Sequence, residues 1–387
     1  MTSRTYIIGT GSYLPDYIVT NEELAGLTGL TPNEIDKRTG ILERRRADKD
    51  EATSDLATHA ALSAIKSAGV AVEDVGLIVL STTSQDMFMP STACIVQRNI
   101  GAKKAAAFDV NASCSGFLYS LNIAEMFIRS GQTDTALVIA AEVKSRFVDP
   151  KDKETAILFG DGAGAIVLSS VIPAKAGIQN DANFGVDTYQ IDAGCMIERP
   201  DPLAASMPEK SPLSLRERVR VAVGLNAGSS AILAEILNTW LYADGSNWKW
   251  IHLPAGGSRM PATADTIASG LHTMQMDGSK VYRKAIKTLE GLLIDTVKRC
   301  GLSLEDIDIF IFHQANLRII KQVISRLGLP EEKVPVTITY TGNTSSASIP
   351  ITLDQMVREG RIKRGDRLLM ASFGGGLTWG ASIINII

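Results

Sequence analysis

Glu73-Asp-Val-Gly-Leu-Ile-Val-Leu-Ser81 and Glu305-Asp-Ile-Asp-Ile-Phe-Ile-Phe-His313 share one layout: an acidic pair, a short spacer, an unbroken apolar run, then a small or polar residue. An apolar run without polar alternation reads as a strand covered on both faces. Further along, Phe159-Gly-Asp-Gly-Ala-Gly-Ala-Ile-Val167 is echoed by Phe373-Gly-Gly-Gly-Leu-Thr-Trp-Gly-Ala381. Acidic residues before strands and Gly-rich turns are each common. Two matches in the same order and at similar separations favour a duplicated unit.

Working outward, Tyr6–Ile8, Ala136–Ala141, Ala165–Leu168, Leu368–Met370 and Ala381–Ile384 read as further buried strands. Between strands, residues 56–67, 116–129, 283–299 and 317–327 carry helical periodicity. Strands alternating with helices predict an α/β fold whose helices cover a sheet. The two halves are expected at 1–170 and 224–387. The stretch 171–223 fits neither and holds five of the 14 prolines (Pro173, Pro200, Pro202, Pro208, Pro212), so it reads as an inserted surface segment. A functional lid is the rival reading, and Cys195 within it is incidental.

The chain has 387 residues, 45% hydrophobic, with 39 basic and 42 acidic side chains, a formal charge of −3. That balance gives no reason to expect nucleic acid or an anionic membrane as partner. No apolar run reaches the ~18 residues of a membrane span, and Met1-Thr-Ser-Arg-Thr-Tyr lacks a signal-peptide layout. Cys94, Cys114, Cys195 and Cys300 form no CxxC, which argues against a zinc site or a disulfide scaffold. A cytoplasmic protein with reduced thiols is expected, with no metal.

Four segments carry possible chemistry. In Asn111-Ala-Ser-Cys-Ser-Gly-Phe-Leu, Cys114 precedes a helix whose dipole favours thiolate, and small neighbours leave room for a substrate. The competing reading is a small buried core residue. His313, alone among His59, His252, His272 and His313, sits where a buried strand ends, which is where α/β proteins place sites. Thr341-Gly-Asn-Thr-Ser-Ser-Ala-Ser-Ile-Pro occupies in the second half roughly the place of the Cys114 segment, which sets Asn343 across a pseudo-twofold axis from Cys114. Taken alone, such a turn is an ordinary helix cap. In Ser372-Phe-Gly-Gly-Gly-Leu, successive glycines let backbone N–H groups approach a ligand. No GxGxxG or Walker pattern is present, so phosphate cradling is not expected.

Together, NASCSGF, FGDGAGA, FHQAN, GNTSSASIP and FGGGLTWG resemble the thiolase-fold condensing enzymes, and most closely the β-ketoacyl-acyl-carrier-protein synthase III family. The resemblance covers nearly all of the chain outside the insertion. It implies two βαβαβαββ halves in a five-layer αβαβα arrangement, a homodimer, and no cofactor beyond coenzyme A and acyl-carrier thioesters as substrates. It implies Cys114 as nucleophile, with the backbone N–H groups of Cys114 and Gly375 as oxyanion hole. His313 and Asn343 then donate to the enolate left by malonyl decarboxylation. Arg38 and Thr39 match the segment that meets the coenzyme A adenine, and Lys153 stands where Arg is usual. Met89 matches a residue that shapes the partner subunit's acyl pocket. Gln314, Ala315, Asn316, Leu317 and Arg318 match the acyl carrier protein docking patch.

One departure concerns the donor. The Trp usual before Arg-Thr-Gly is absent, with only Ile35 nearby, which opens the possibility of a carrier-bound acyl donor. The implied reaction is the decarboxylating condensation of an acyl-CoA, acetyl-CoA by default, with malonyl carrier protein. Condensation of specialised acyl chains and Cys-His thioester hydrolysis are the alternatives.

Overall fold

The computed structural model describes residues 4–170 and 232–387, so the segment expected as an insertion lies outside the described residues. The strands are β1 (Tyr6–Tyr13), β2 (Tyr17–Thr20), β3 (Glu43–Arg46), β4 (Leu77–Ser81), β5 (Ala106–Val110), β6 (Thr135–Glu142) and β7 (Gly162–Ser169) in the first half. The second half has β8 (Ala234–Ala243), β9 (Ile251–His252), β10 (Gln275–Met276), β11 (Ile309–Phe312), β12 (Arg367–Gly374) and β13 (Thr378–Ile386). The helices that matter below are α1 (Asn21–Thr28), α2 (Pro32–Thr39), α3 (Thr53–Ala68), α4 (Thr92–Ile100), α5 (Gly116–Arg129), α6 (Gly278–Arg299), α7 (Leu317–Leu327) and α8 (Ser348–Arg358).

The duplication is visible in strand order. The first half runs β5-β4-β6-β7-β1 and the second β11-β12-β13-β8. In both, a parallel pair (β4 with β6, β11 with β12) is followed by an antiparallel strand (β7, β13). The halves join where Tyr6 and Ile7 of β1 pair with Glu235 and Ala234 of β8, giving one nine-stranded mixed sheet.

Alternation within strands sets the layers. Ile309 and Ile311 face a central core with Phe117 and Leu121 of α5, Leu353 of α8, and Val79 and Val138 of the first half. Phe310 and Phe312, one residue out of phase, face an outer core with Leu289, Leu293 and Val323 of α6 and α7. Ile78, Leu80, Leu137 and Ile139 face a second outer core beneath α3 and α4. The order is therefore outer helices, sheet, central helices, sheet, outer helices, the five layers of a thiolase-like fold. Unbroken apolar strands are what this demands, because every residue of β4 and β11 is buried.

Two strands of the nine-stranded sheet escaped the sequence reading. β5 is alanine-rich and half-exposed, and β8 mixes polar and apolar residues at the seam between the halves. A third difference is a missing strand. Among the described residues of the second half, β11 has no partner equivalent to β5, because the segment at the same position in the repeat, Ile338–Thr341, is a short helix. The buried Gln314 side chain supplies bonds in its place. Its Oε1 accepts from the N–H of Thr337 (3.0 Å) and Ile338 (3.2 Å), and its Nε2 donates to the carbonyls of Phe312 (2.8 Å) and Pro335 (3.4 Å).

Candidate active site

β5 ends in a tight turn, Ser113–Ser115, which leads directly into α5, and Cys114 sits at its centre. Ser113 has φ 51°, a left-handed conformation that costs a non-glycine residue roughly 1–3 kcal/mol. The second half repeats this turn at Ser345–Ala347, ahead of α8, and Ser345 also has φ 51°. The equivalences follow by count: Asn111 with Asn343, Ser113 with Ser345, and Cys114 with Ser346. Asn343 is thus the counterpart of Asn111 rather than of Cys114.

The two turns meet. Cys114 Sγ lies 3.6 Å from Ser345 Oγ. Asn343 Oδ1 accepts from the Ser345 N–H at 2.8 Å, which turns its Nδ2 toward the Ala315 carbonyl (3.3 Å) and the cavity. The Asn343 N–H in turn donates to the Leu158 carbonyl at 2.9 Å, tying this turn to the first half. His313 follows β11, and its Nδ1 is 2.7 Å from Ser348 Oγ, which also accepts from the Gln314 N–H at 3.2 Å. A Cβ on Gly374 would lie 2.7 Å from the Cys114 N, so glycine is needed there for the strand to reach the nucleophile turn. Gly375 lies beyond it, beside Ser113.

Burial dominates the electrostatics. It pushes the Cys114 thiol above its ordinary value, against the opposing pull of the Ser345 hydroxyl and the Lys144 ammonium. The expectation that the helix terminus makes Cys114 a ready thiolate is therefore corrected. Burial also drives the His313 imidazole down to about 3, so at neutral pH it is uncharged, with one ring N–H to give.

Cys114, His313, Asn343 and Gly375 all line one cavity of about 1100 Å³. Arg38, Thr39 and Lys153 line its outer part, as do Ala315, Asn316 and Arg318. Thr39 is buried, and its hydroxyl is used within the chain, donating to the Ile35 carbonyl (2.7 Å) and accepting from the Ile41 N–H (3.0 Å). Asn316 caps α7, and its Nδ2 donates to the Arg38 carbonyl at 3.0 Å, joining the two expected binding segments. Arg318 is exposed and lies over the Tyr282 ring.

Two expectations, for Gln314 and Leu317, fall differently. Gln314 is fully buried and bonded on both sides of its amide, so it cannot belong to a docking surface. Leu317 packs against the small core that holds Ile35 and Ile338. Met89 is 85% exposed and does not line this cavity, whereas its neighbours Met87 and Phe88 do. Ile35 is fully buried and offers no face for stacking. Sequence reasoning missed Ser348 and Lys144, both of which touch the site. A serine within a helix and a lysine after a strand carry no signal until their neighbours are known.

Models of 3-oxoacyl-[acyl-carrier-protein] synthase III match residues 108–186, and those of its C-terminal part match 297–386. The chain is 41% identical over 378 residues, 98% of its length and 96% of the relative's, to a protein of Caldanaerobacter subterraneus named β-ketoacyl-[acyl-carrier-protein] synthase III. A protein of the same name from Clostridioides difficile is 40% identical over 99% of both chains. The crystal structure of 3-oxoacyl-[acyl-carrier-protein] synthase III from Aquifex aeolicus superposes with a TM-score of 0.76 at 35% identity, covering 98% of this chain and 99% of that one.

Proposed function

The chain belongs to the β-ketoacyl-[acyl-carrier-protein] synthase III family, and from that premise we propose how its residues carry out the family's condensation. It is an acyltransferase that condenses an acyl-CoA, acetyl-CoA by default, with malonyl carrier protein to begin fatty acid synthesis. The observation that carries this reading is the convergence of Cys114, His313 and Asn343, from different elements of both halves, on one cavity.

Cys114 sulfur attacks the acyl thioester, an S–C bond forms, and coenzyme A leaves with the thiol proton. The backbone N–H groups of Cys114 and Gly375 hold the developing oxyanion, a donor of this kind contributing ~2.7–4 kcal/mol. Malonyl carrier protein then enters. Its carboxylate C–C bond breaks, CO₂ departs, and the electron pair moves onto the thioester as an enolate. His313 Nε2–H and Asn343 Nδ2–H donate to the enolate oxygen. For His313 this requires the proton on Nε2, with the Ser348 hydroxyl, 2.7 Å away, donating to Nδ1 while its oxygen accepts from the Gln314 N–H. The enolate carbon attacks the acyl-Cys114 carbonyl, and collapse of the adduct releases the β-ketoacyl carrier protein and the sulfur.

An imidazole with its pKa at about 3 is a poor general base, and its Nδ1 partner is a hydroxyl rather than a carboxylate. Both features favour condensation over thioester hydrolysis. Arg38 meets the adenine end of coenzyme A and Lys153 its phosphates at the cavity mouth, and Arg318 meets acidic helices of the carrier protein. Met87, Phe88 and Met89 are consecutive exposed apolar residues (48%, 79% and 85%) and form part of a homodimer contact, with Met89 reaching the partner subunit. The protein works in the cytoplasm, without metal or bound cofactor.

The test is mass analysis of the protein after incubation with acetyl-CoA, followed by product analysis with malonyl carrier protein. An acetyl adduct on Cys114, lost in Cys114→Ala, and a β-ketoacyl product are expected. Free acetate in place of that product refutes the condensation.

A further inference from the structure

At the end of β6 lies a charged pair that the proposed reaction does not use. Lys144 Nζ is 3.4 Å from Glu142 Oε2, with side-chain exposures of 4% and 0%. Among the described residues no other lysine is buried. Glu142 is heavily bonded. Oε2 accepts from Ser84 Oγ (2.5 Å) and the Thr83 N–H (3.2 Å), and Oε1 accepts from Ser346 Oγ (3.0 Å). Lys144 donates to Thr83 Oγ1. Lys144 and Thr83 line the same cavity as Cys114.

Stability alone does not explain this arrangement. Desolvating two charges costs several kcal/mol per ion, and apolar residues of similar volume are often as stable or more so. Position gives the alternative. Ser346, bonded to Glu142, follows Ser345, whose hydroxyl meets Cys114 sulfur. Those two serines thus connect the pair to the nucleophile, and Lys144 shares the nucleophile's cavity.

We propose that Lys144 and Glu142 are positioning residues that set the charge state of Cys114: the ammonium stabilises the thiolate, while the carboxylate anchors the ammonium and offsets part of its effect. This rests on Cys114 being the nucleophile of the proposed reaction. The field at Cys114 agrees in sign, Lys144 pulling the thiol down and Glu142 pushing it up. Lys144 and Glu142 are the charges that act on the sulfur. His313, from the end of β11, is uncharged at neutral pH. Arg38, Lys153, Glu154, Arg283 and Arg318 sit on the exposed part of the cavity, and Asp86 is held by Ser54.

The test is the pH profile of Cys114 alkylation by iodoacetamide, in which the thiolate forms an S–C bond and iodide leaves. It needs no substrate, so it reads the thiol independently of the reaction assigned above. Lys144→Met is expected to slow alkylation at pH 7 by roughly three- to tenfold and to move the profile to higher pH. Glu142→Gln is expected to do the reverse, speeding alkylation and moving the profile to lower pH. The double variant, which removes both charges together, falls between them. A purely structural pair gives shifts of the same sign in both single variants, or none, and either result overturns the proposal. If Lys144→Met does not fold, Glu142→Gln and the charge-retaining Lys144→Arg decide: the first must accelerate alkylation and the second must stay near wild type.

Discussion

Ser348→Ala is the sharpest test of the enolate-binding geometry. The hydroxyl removed has two partners, the Gln314 N–H at 3.2 Å and His313 Nδ1 at 2.7 Å, and it is buried. Each buried polar group left unpaired costs about 1–3 kcal/mol, so with two such groups the fold loses about 2–6 kcal/mol. The functional effect is separate. With no donor at Nδ1, the neutral imidazole is no longer held in the form that has its proton on Nε2, and some of the population presents a lone pair to the enolate. Losing one such donor outright costs 10²–10³ in rate, so partial loss predicts about a 10–100-fold fall in malonyl decarboxylation. Acyl loading onto Cys114 does not use His313 in this scheme and should stay within a few-fold. The two half-reactions are measured separately, by release of labelled CO₂ and by adduct mass, below the variant's melting transition. A cycle with His313→Ala isolates the link: in that background Ser348→Ala should cost decarboxylation nothing further. Equal losses in both half-reactions, or an undiminished Ser348→Ala effect without His313, would refute the reasoning.

Other outcomes follow from the same geometry. Asn343→Asp keeps the Oδ1 acceptor for the Ser345 N–H but replaces the donor with a charge that repels the enolate. Decarboxylation should fall more than about 100-fold, with loading nearly unchanged. His313 falls from an ordinary 6.5 to about 3 on folding, so the unfolded chain binds its proton first. Its contribution to stability is therefore present above pH ~6.5 and lost as the pH drops toward 3, at about 1.4 kcal/mol per pH unit. Urea midpoints between pH 7 and 4.5 should show a slope shallower by about one proton in His313→Gln. Gln314→Leu strips four backbone groups of their partner, and should cost about 4 kcal/mol or more in urea denaturation without raising the KM for malonyl carrier protein.

The layers were legible because they depend on local pattern. A strand buried on both faces must be apolar throughout, and the duplicated runs ending at Ser81 and His313 say so in both halves. The parts that were not legible depend on tertiary contact. Gln314 reads as a surface residue beside a helix start, yet it is buried and bonds the backbone where the second half has a short helix, Ile338–Thr341, in place of the edge strand of the first. The thiol at a helix terminus reads as activated, yet the depth of the site reverses the sign, and depth is not written in the nucleophile's neighbours.

The repeat also explains why the trio comes from two halves. Both halves build the same left-handed serine turn ahead of a central helix, at Ser113 and at Ser345. Each turn follows an asparagine, and both Asn111 and Asn343 line the cavity. The chemistry differs between the copies. The first places sulfur at Cys114 where the second has Ser346, and the second places an imidazole at His313 where the first has Ser81. Ser346 is bonded to Glu142 and Ser348 to His313, so the second turn supports groups in both halves. A nucleophile and an enolate donor set must face each other across one substrate. Two related turns packed against each other meet that requirement with a backbone the chain already builds once, and side-chain identity alone divides the roles.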